Sequence, residues 1–179
     1  AGKDDQAAFA AAKPLEVPPG TRVRYSTGTS NIVAGIVGDE VGRGDPYRRF
    51  IQTRLLDPLG IPADEVVAGF DATGNLIGGS KFDTTARNFA KLGYLHLRGG
   101  EWDGTRIVDT AWVDDERTAT PAPAGTPAYG AHWWIDPDHP TRWYMSGLAG
   151  QHVLLVPEHD LVVVVLADRY DGKEGQLRD

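Results

Sequence analysis

Cysteine is absent from this 179-residue sequence and methionine occurs once. No disulfide can staple the fold and no thiolate can hold a metal, which leaves the compartment open. Long apolar runs are missing too: the longest is 161–167, a strand's length and far short of a membrane span. Basic residues are outnumbered, 18 Lys and Arg against 25 Asp and Glu, for a net charge of -7. No Lys/Arg stripe stands ready to neutralise phosphates, so a nucleic-acid partner is excluded. The usual catalytic signatures are also lacking. None of Ser26, Ser30, Ser80 and Ser146 sits in a G-x-S-x-G elbow. No H-E-x-x-H accompanies His132 and His152, which the strand pattern places on neighbouring strands, and no glycine-rich phosphate loop opens a helix. Metal: none and cofactor: none is the reading these absences give.

What is present is a globular composition, 41% hydrophobic and 24% charged, in a chain long enough to bury a core. "AGKDDQAAFAAAKPLEV" reads as an amphipathic helix entered part-way through. Pro18-Pro19-Gly20 makes a turn, followed by a short strand to Tyr25 and a helix from about Ser30 to Val41. Small residues Ala34, Gly35 and Gly38 open that helix to close packing. Asp45 is an N-cap with Pro46 in the first helical position, for a helix over 47–56. "FDATGNLIGG" reads as a hairpin. Asp83, Thr84 and Thr85 offer caps to a third helix, with Phe89, Leu92, Leu95 and Leu97 at roughly helical spacing, and Arg87 on its surface. "DTAWVDDERT" is a short helix and 119–128 a Pro/Ala surface loop. The remainder, "YGAHWWID", "TRWYMSG", "QHVLLVP" and "LVVVVLAD", predicts antiparallel strands joined by hairpin-length turns, and "DGKEGQLRD" begins another helix. The fold class is therefore α/β in the broad sense (α+β), an antiparallel sheet flanked by helices.

Two segments far apart in the chain share one oddity: small and hydroxyl residues where bulk would pack better. One is "RVRYSTGTSN", with Tyr25, Ser26 and Thr27; Tyr25 there is either a packing aromatic or a group placed to move a proton. The other is "YMSGLAGQ", where Gly147 and Gly150 leave room for a ligand or a second backbone to come close. A strand edge of this kind can aim a backbone N–H at a developing oxyanion. Trp133, Trp134, Trp143 and Tyr144 are open to either core packing or a substrate wall.

"PPGTRVRYSTGTSNIVAGIV", "LLDPLGI", "GGSKFDTTARNFAKLGYLHLRGGEWDGTRIVDTAWV", "YGAHWW" and "GLAGQHVLLVPEHDLVVVV" occur together in the order of one superfamily. From Leu15 to Asp168 the chain resembles the β-lactamase-related serine hydrolases, a group holding class C β-lactamases, D-amino-acid peptidases and esterases. Within it the sequence is most similar to the 6-aminohexanoate-dimer hydrolase type. The resemblance implies a β-lactamase/transpeptidase-like fold, incomplete here, with residues 1–179 forming a single C-terminal portion. The family's Ser-x-x-Lys would lie upstream, since no lysine here has a serine three residues before it. The Tyr-x-Asn motif corresponds to Tyr25-Ser26-Thr27, with Thr27 replacing the amide. The Lys-Thr-Gly position corresponds to Met145-Ser146-Gly147, with Leu148-Ala149-Gly150 as the alternative, and no cation stands in either.

That resemblance makes Tyr25 the acid/base partner and the Leu148 backbone N–H an oxyanion donor, while Thr27, Ser146, Gly147 and Trp133 contact substrate. Gln151 would pin the glycine turn. The partners implied are a small-molecule amide or ester and the N-terminal segment of the same protein. The activity implied is acyl transfer to water through a serine ester. The alternative is a non-catalytic binding module of the same fold.

Overall fold

The computed structural model describes residues 4–120 and 128–167. They divide into two compact units, one of residues up to Pro19 with Arg24–Thr85, the other of Gly20–Val23 with the chain from Ala86 onward.

In the first unit, α1 (Gln6–Ala11) opens on Asp5, whose carboxylate accepts from the Ala8 N–H at 2.8 Å. It packs on α2 (Thr27–Val41). The small residues of α2 allow this, since a Cβ on Gly35 would lie 2.6 Å from the Ala7 methyl. Residues 22–26 lie outside helices and strands, which corrects the expected strand. Helix α2 begins just after this stretch, at Thr27, where the Thr29 and Ser30 N–H groups return to the Ser26 carbonyl.

Helix α3 (Asp45–Ile51) is capped by Gly44 at φ 70, a conformation glycine adopts freely, so Asp45 is a first-turn residue and not the cap. The helix continues as a π-turn over Gln52–Leu56, into a corner where Leu56, Leu59 and Ile61 are buried. Strands β1 (Val67–Ala68) and β2 (Phe82–Asp83) pair antiparallel around the Asp71 turn, where Phe70 bridges Leu76. Asp83 is thus a strand residue opposite Val67 rather than a helix cap.

The second unit begins with α4 (Ala86–Leu97), then a hairpin of β3 (Glu101–Trp102) and β4 (Thr105–Arg106), then α5 (Thr110–Glu116). A five-stranded antiparallel meander follows: β5 (Ala128–Tyr129), β6 (Trp134–Ile135), β7 (Trp143–Gly147), β8 (Gln151–Val156) and β9 (Leu161–Val165), in that spatial order. "YGAHWWID" is not one strand but two short ones, paired Ala128↔Ile135 and Tyr129↔Trp134. The chain reverses there in a turn closed by the Gly130 N–H on the Trp133 carbonyl at 2.8 Å, and Gly130 lies where a Cβ would meet the Glu116 carbonyl at 1.8 Å. His132 falls in the reversal at φ 67, so it is not on a strand neighbouring His152.

One face of the sheet holds the core: Trp133, Trp143, Val153 and Leu155, with Phe89 and Leu97 of α4 and Met145, Val162 and Val164 packed against them. Helix α4 lies close on β8 and β9 because Gly93 faces the sheet. The fold is thus mixed α/β with an antiparallel sheet flanked by a helix, as the sequence pattern leads one to expect. Most of the loop over 119–128 and the chain after Ala167 fall outside the described residues.

Candidate active site

Tyr25 stands two residues before α2, with 59% of its surface exposed. Ser26 is the N-cap by backbone geometry, yet its side chain makes no capping bond. Thr27 opens the helix. Its backbone is held by a segment that sequence reasoning passed over. A Cβ on Gly79 would lie 2.4 Å from the Thr27 methyl, and one on Gly78 would lie 2.7 Å from the Ser30 carbonyl oxygen. Only glycines let these two chains touch.

Asn31, buried one turn further on, locks the arrangement. Its Oδ1 accepts from the Gly79 N–H at 3.2 Å and its Nδ2 donates to Gln6 Oε1 at 2.9 Å. An asparagine inside an otherwise apolar helix face, with a Gly-Gly pair downstream, was the available signal. Tyr25 and Thr27 are thereby presented at the start of a helix whose first turn is fixed from two sides.

In the second unit, Ser146 and Gly147 end β7, and Leu148, Ala149 and Gly150 form the loop into β8. Ala149 and Gly150 both have left-handed backbone, at φ 64 and 89. Such consecutive values turn the chain sharply and leave Leu148 at the tip, 69% exposed. Gly147 pairs with Gln151 across the hairpin and Ser146 with His152. Directly opposed residues point to the same face, so Ser146 and His152 are neighbours. Burial pushes the His152 pKa down, favouring a neutral ring that can donate or accept beside the serine hydroxyl. His152 was not singled out for this position because register, not residue type, creates the pairing.

Trp133 does not line a site: it is 3% exposed, with its ring centroid 5.0 Å from His96 and 6.4 Å from Trp143. Its expected contact with substrate gives way to core packing, since a side chain enclosed by the sheet and α4 has no surface left to offer. A cleft of about 390 Å³ opens beside Trp143, lined by Asp114, Arg117, Thr118 and Thr141. It lies at the other end of β7 from Gly147 and includes none of the site residues. No group of three or more His, Asp or Glu side chains fit to hold a metal occurs among the described residues.

The family model described as Beta-lactamase matches residues 2–179. A 6-aminohexanoate-dimer hydrolase of Paenarthrobacter ureafaciens is 28% identical over 156 residues, 80% of this chain and 38% of that protein. Among solved structures, a protein from Bacillus anthracis named as a candidate 6-aminohexanoate-dimer hydrolase superposes with a TM-score of 0.73 at 21% identity. That match covers 89% of this chain and 42% of the other. A family VIII carboxylesterase superposes with a TM-score of 0.68 at 14% identity, over 90% of this chain and 57% of its own. The chain thus spans about two-fifths of the length of the 6-aminohexanoate-dimer hydrolases it matches.

Proposed function

The chain belongs to the beta-lactamase family, and from that premise we propose that it is the C-terminal portion of a serine hydrolase. The enzyme opens an amide or ester through a covalent acyl-serine, and the acylated serine and its lysine come from a segment preceding this chain. The serine hydroxyl attacks the substrate carbonyl while Tyr25, together with the upstream lysine, relays its proton to the leaving group. The Leu148 N–H, with the nucleophile's own N–H, holds the oxyanion of the tetrahedral intermediate. Water then repeats the sequence on the ester. Thr27, Ser146 and Gly147 border the acyl chain. The first substrate to assay is the one in the relative's name, the dimer of 6-aminohexanoate.

The position of Tyr25 carries this reading: it stands two residues before α2, whose first turn is held in place by Asn31 and by the close approach of Gly78 and Gly79. The test is fluorophosphonate labelling and nitrophenyl-ester turnover by the complete enzyme and by residues 1–179 alone. The complete enzyme is expected to label on the Ser-x-x-Lys serine and to turn over ester. The isolated chain should do neither. A complete protein that neither labels nor hydrolyses assigns the fold to a binding module instead.

A further inference from the structure

The loop Leu148–Gly150 has two successive residues in left-handed conformation, one of them an alanine, so something must hold it in shape. The residue that does so is Gln151. Its carboxamide Nε2–H donates to the Ala167 carbonyl, and its Oε1 accepts from the Ala167 N–H at 3.2 Å. Backbone pairing of β8 with β9 stops at His152↔Val165. The side chain therefore stands in for a peptide unit and carries the sheet one step beyond that pair. Its stem also underlies Gly147, where a Cβ would come within 3.1 Å of Gln151 Cβ. On the far side, a Cβ on Gly150 would meet the Ala167 methyl at 3.5 Å. One side chain thus ties the end of β7, the turn and the chain leaving β9 into a single buckle.

We propose that Gln151 is the positioning residue of the oxyanion loop, setting the direction of the Leu148 N–H through its paired bonds to Ala167. This rests on the reading of Leu148 as an oxyanion donor. The inference concerns placement: Gln151 touches neither substrate nor nucleophile. A donor displaced by about an ångström loses most of its advantage in the transition state while barely altering ground-state binding.

Gln151→Leu keeps the bulk and deletes both bonds. In the complete enzyme it is expected to lower kcat about 10- to 100-fold with KM within about threefold. The melting temperature should stay above the assay range and the Ala167 amide, freed from Gln151 Oε1, should exchange faster with solvent. Gln151→Glu supplies a readout that a merely structural role would not move. An ionised carboxylate cannot donate to the Ala167 carbonyl, whereas a protonated carboxyl offers the same donor and acceptor as the carboxamide. The ratio of its kcat to that of the parent should therefore rise as pH is lowered from about 8 to about 5. A Gln151→Leu enzyme within about twofold of the parent kcat, or a Gln151→Glu ratio flat across that range, overturns the proposal. If the parent itself hydrolyses nothing, the hydrolase reading falls. The Ala167 amide, which Gln151 Oε1 holds in the parent, then decides the inference alone: faster exchange in Gln151→Leu supports the buckle, and unchanged exchange sinks it.

Discussion

A phenol that is more than half in solvent contributes little to packing, which makes Tyr25 a clean site for substitution. Tyr25→Phe keeps the ring and deletes the proton. If the phenol transfers that proton, kcat of the complete enzyme should fall about 10²- to 10⁴-fold, with far less change in KM. If the Thr27 hydroxyl only positions substrate, Thr27→Ala should cost about 1 kcal/mol, roughly fivefold in rate. A folded Tyr25→Phe enzyme keeping more than about a tenth of parental kcat would reduce Tyr25 to a surface aromatic. Asp71 makes a different argument at the same scale. Burial alone would raise its carboxyl pKa, but bonds from the Gln6, Thr73 and Asn75 N–H groups and the Thr73 hydroxyl outweigh it, and the net shift is downward. A folded value below the unfolded one adds stability that is present above about pH 4 and lost as pH falls through the folded value. Asp71→Asn turns an amide N–H₂ toward donors. It should cost about 1–3 kcal/mol at neutral pH and flatten the acid limb of a stability profile. A variant with the parent's midpoint in urea at pH 7 would show that these bonds contribute nothing net.

Elements differ in how openly the sequence declares them. Helix α4 was legible from Phe89, Leu92, Leu95 and Leu97, and β7, β8 and β9 from their apolar runs, because those patterns serve burial against a single partner layer. The end of β7 was legible as a place of small residues. The rest depended on contacts remote in sequence. Strand "YGAHWWID" breaks in a turn closed by Gly130 and Trp133, with His132 in left-handed backbone. Trp133 is core rather than wall because the turn before β6 sends it to the face under α4, a choice that two adjacent tryptophans do not reveal. Asn31 and Gly79, which fix the first turn of α2, meet across 48 residues. The packing of α4 on the sheet yields a signed prediction. Gly93→Ala should gain about 1 kcal/mol of helix propensity. The new methyl would sit 2.8 Å from Val162 Cγ1 and 2.9 Å from Val153 Cγ1, two branched side chains already in contact with the core. Overpacking of this kind costs about 1–3 kcal/mol, so the net effect should be a loss of up to about 2. A stabilised Gly93→Ala variant in denaturant titration would mean the helix shifts without penalty.

For the whole molecule, the telling fact is how much apolar surface the described residues leave uncovered in a chain of about two-fifths of the length of its 6-aminohexanoate-dimer hydrolase relatives. Among the described residues β9 pairs with β8 alone, and Leu161 and Val163 along it and Leu166 just beyond its end are 45%, 37% and 43% exposed. On α2, Val33 and Ile36, one turn apart, are 46% and 59% exposed. A helix apolar on two faces and a valine-rich edge strand are features of a domain interior. The isolated chain is therefore expected to self-associate and to bind a hydrophobic dye, whereas the complete protein should do neither. Light scattering behind a sizing column makes the comparison directly, and a monomeric isolated chain that unfolds cooperatively would refute it. The route of association can be separated from its occurrence. Val163→Lys puts a charge on the edge strand at a half-exposed position outside the buried cluster, a device by which edge strands avoid pairing. If β9 is where copies meet, this change should shift the isolated chain toward monomer with an unchanged far-UV spectrum. If the lysine variant associates as strongly as the parent, the exposed stripe of α2 is the seam, and Ile36→Lys should then have the effect that Val163→Lys lacks.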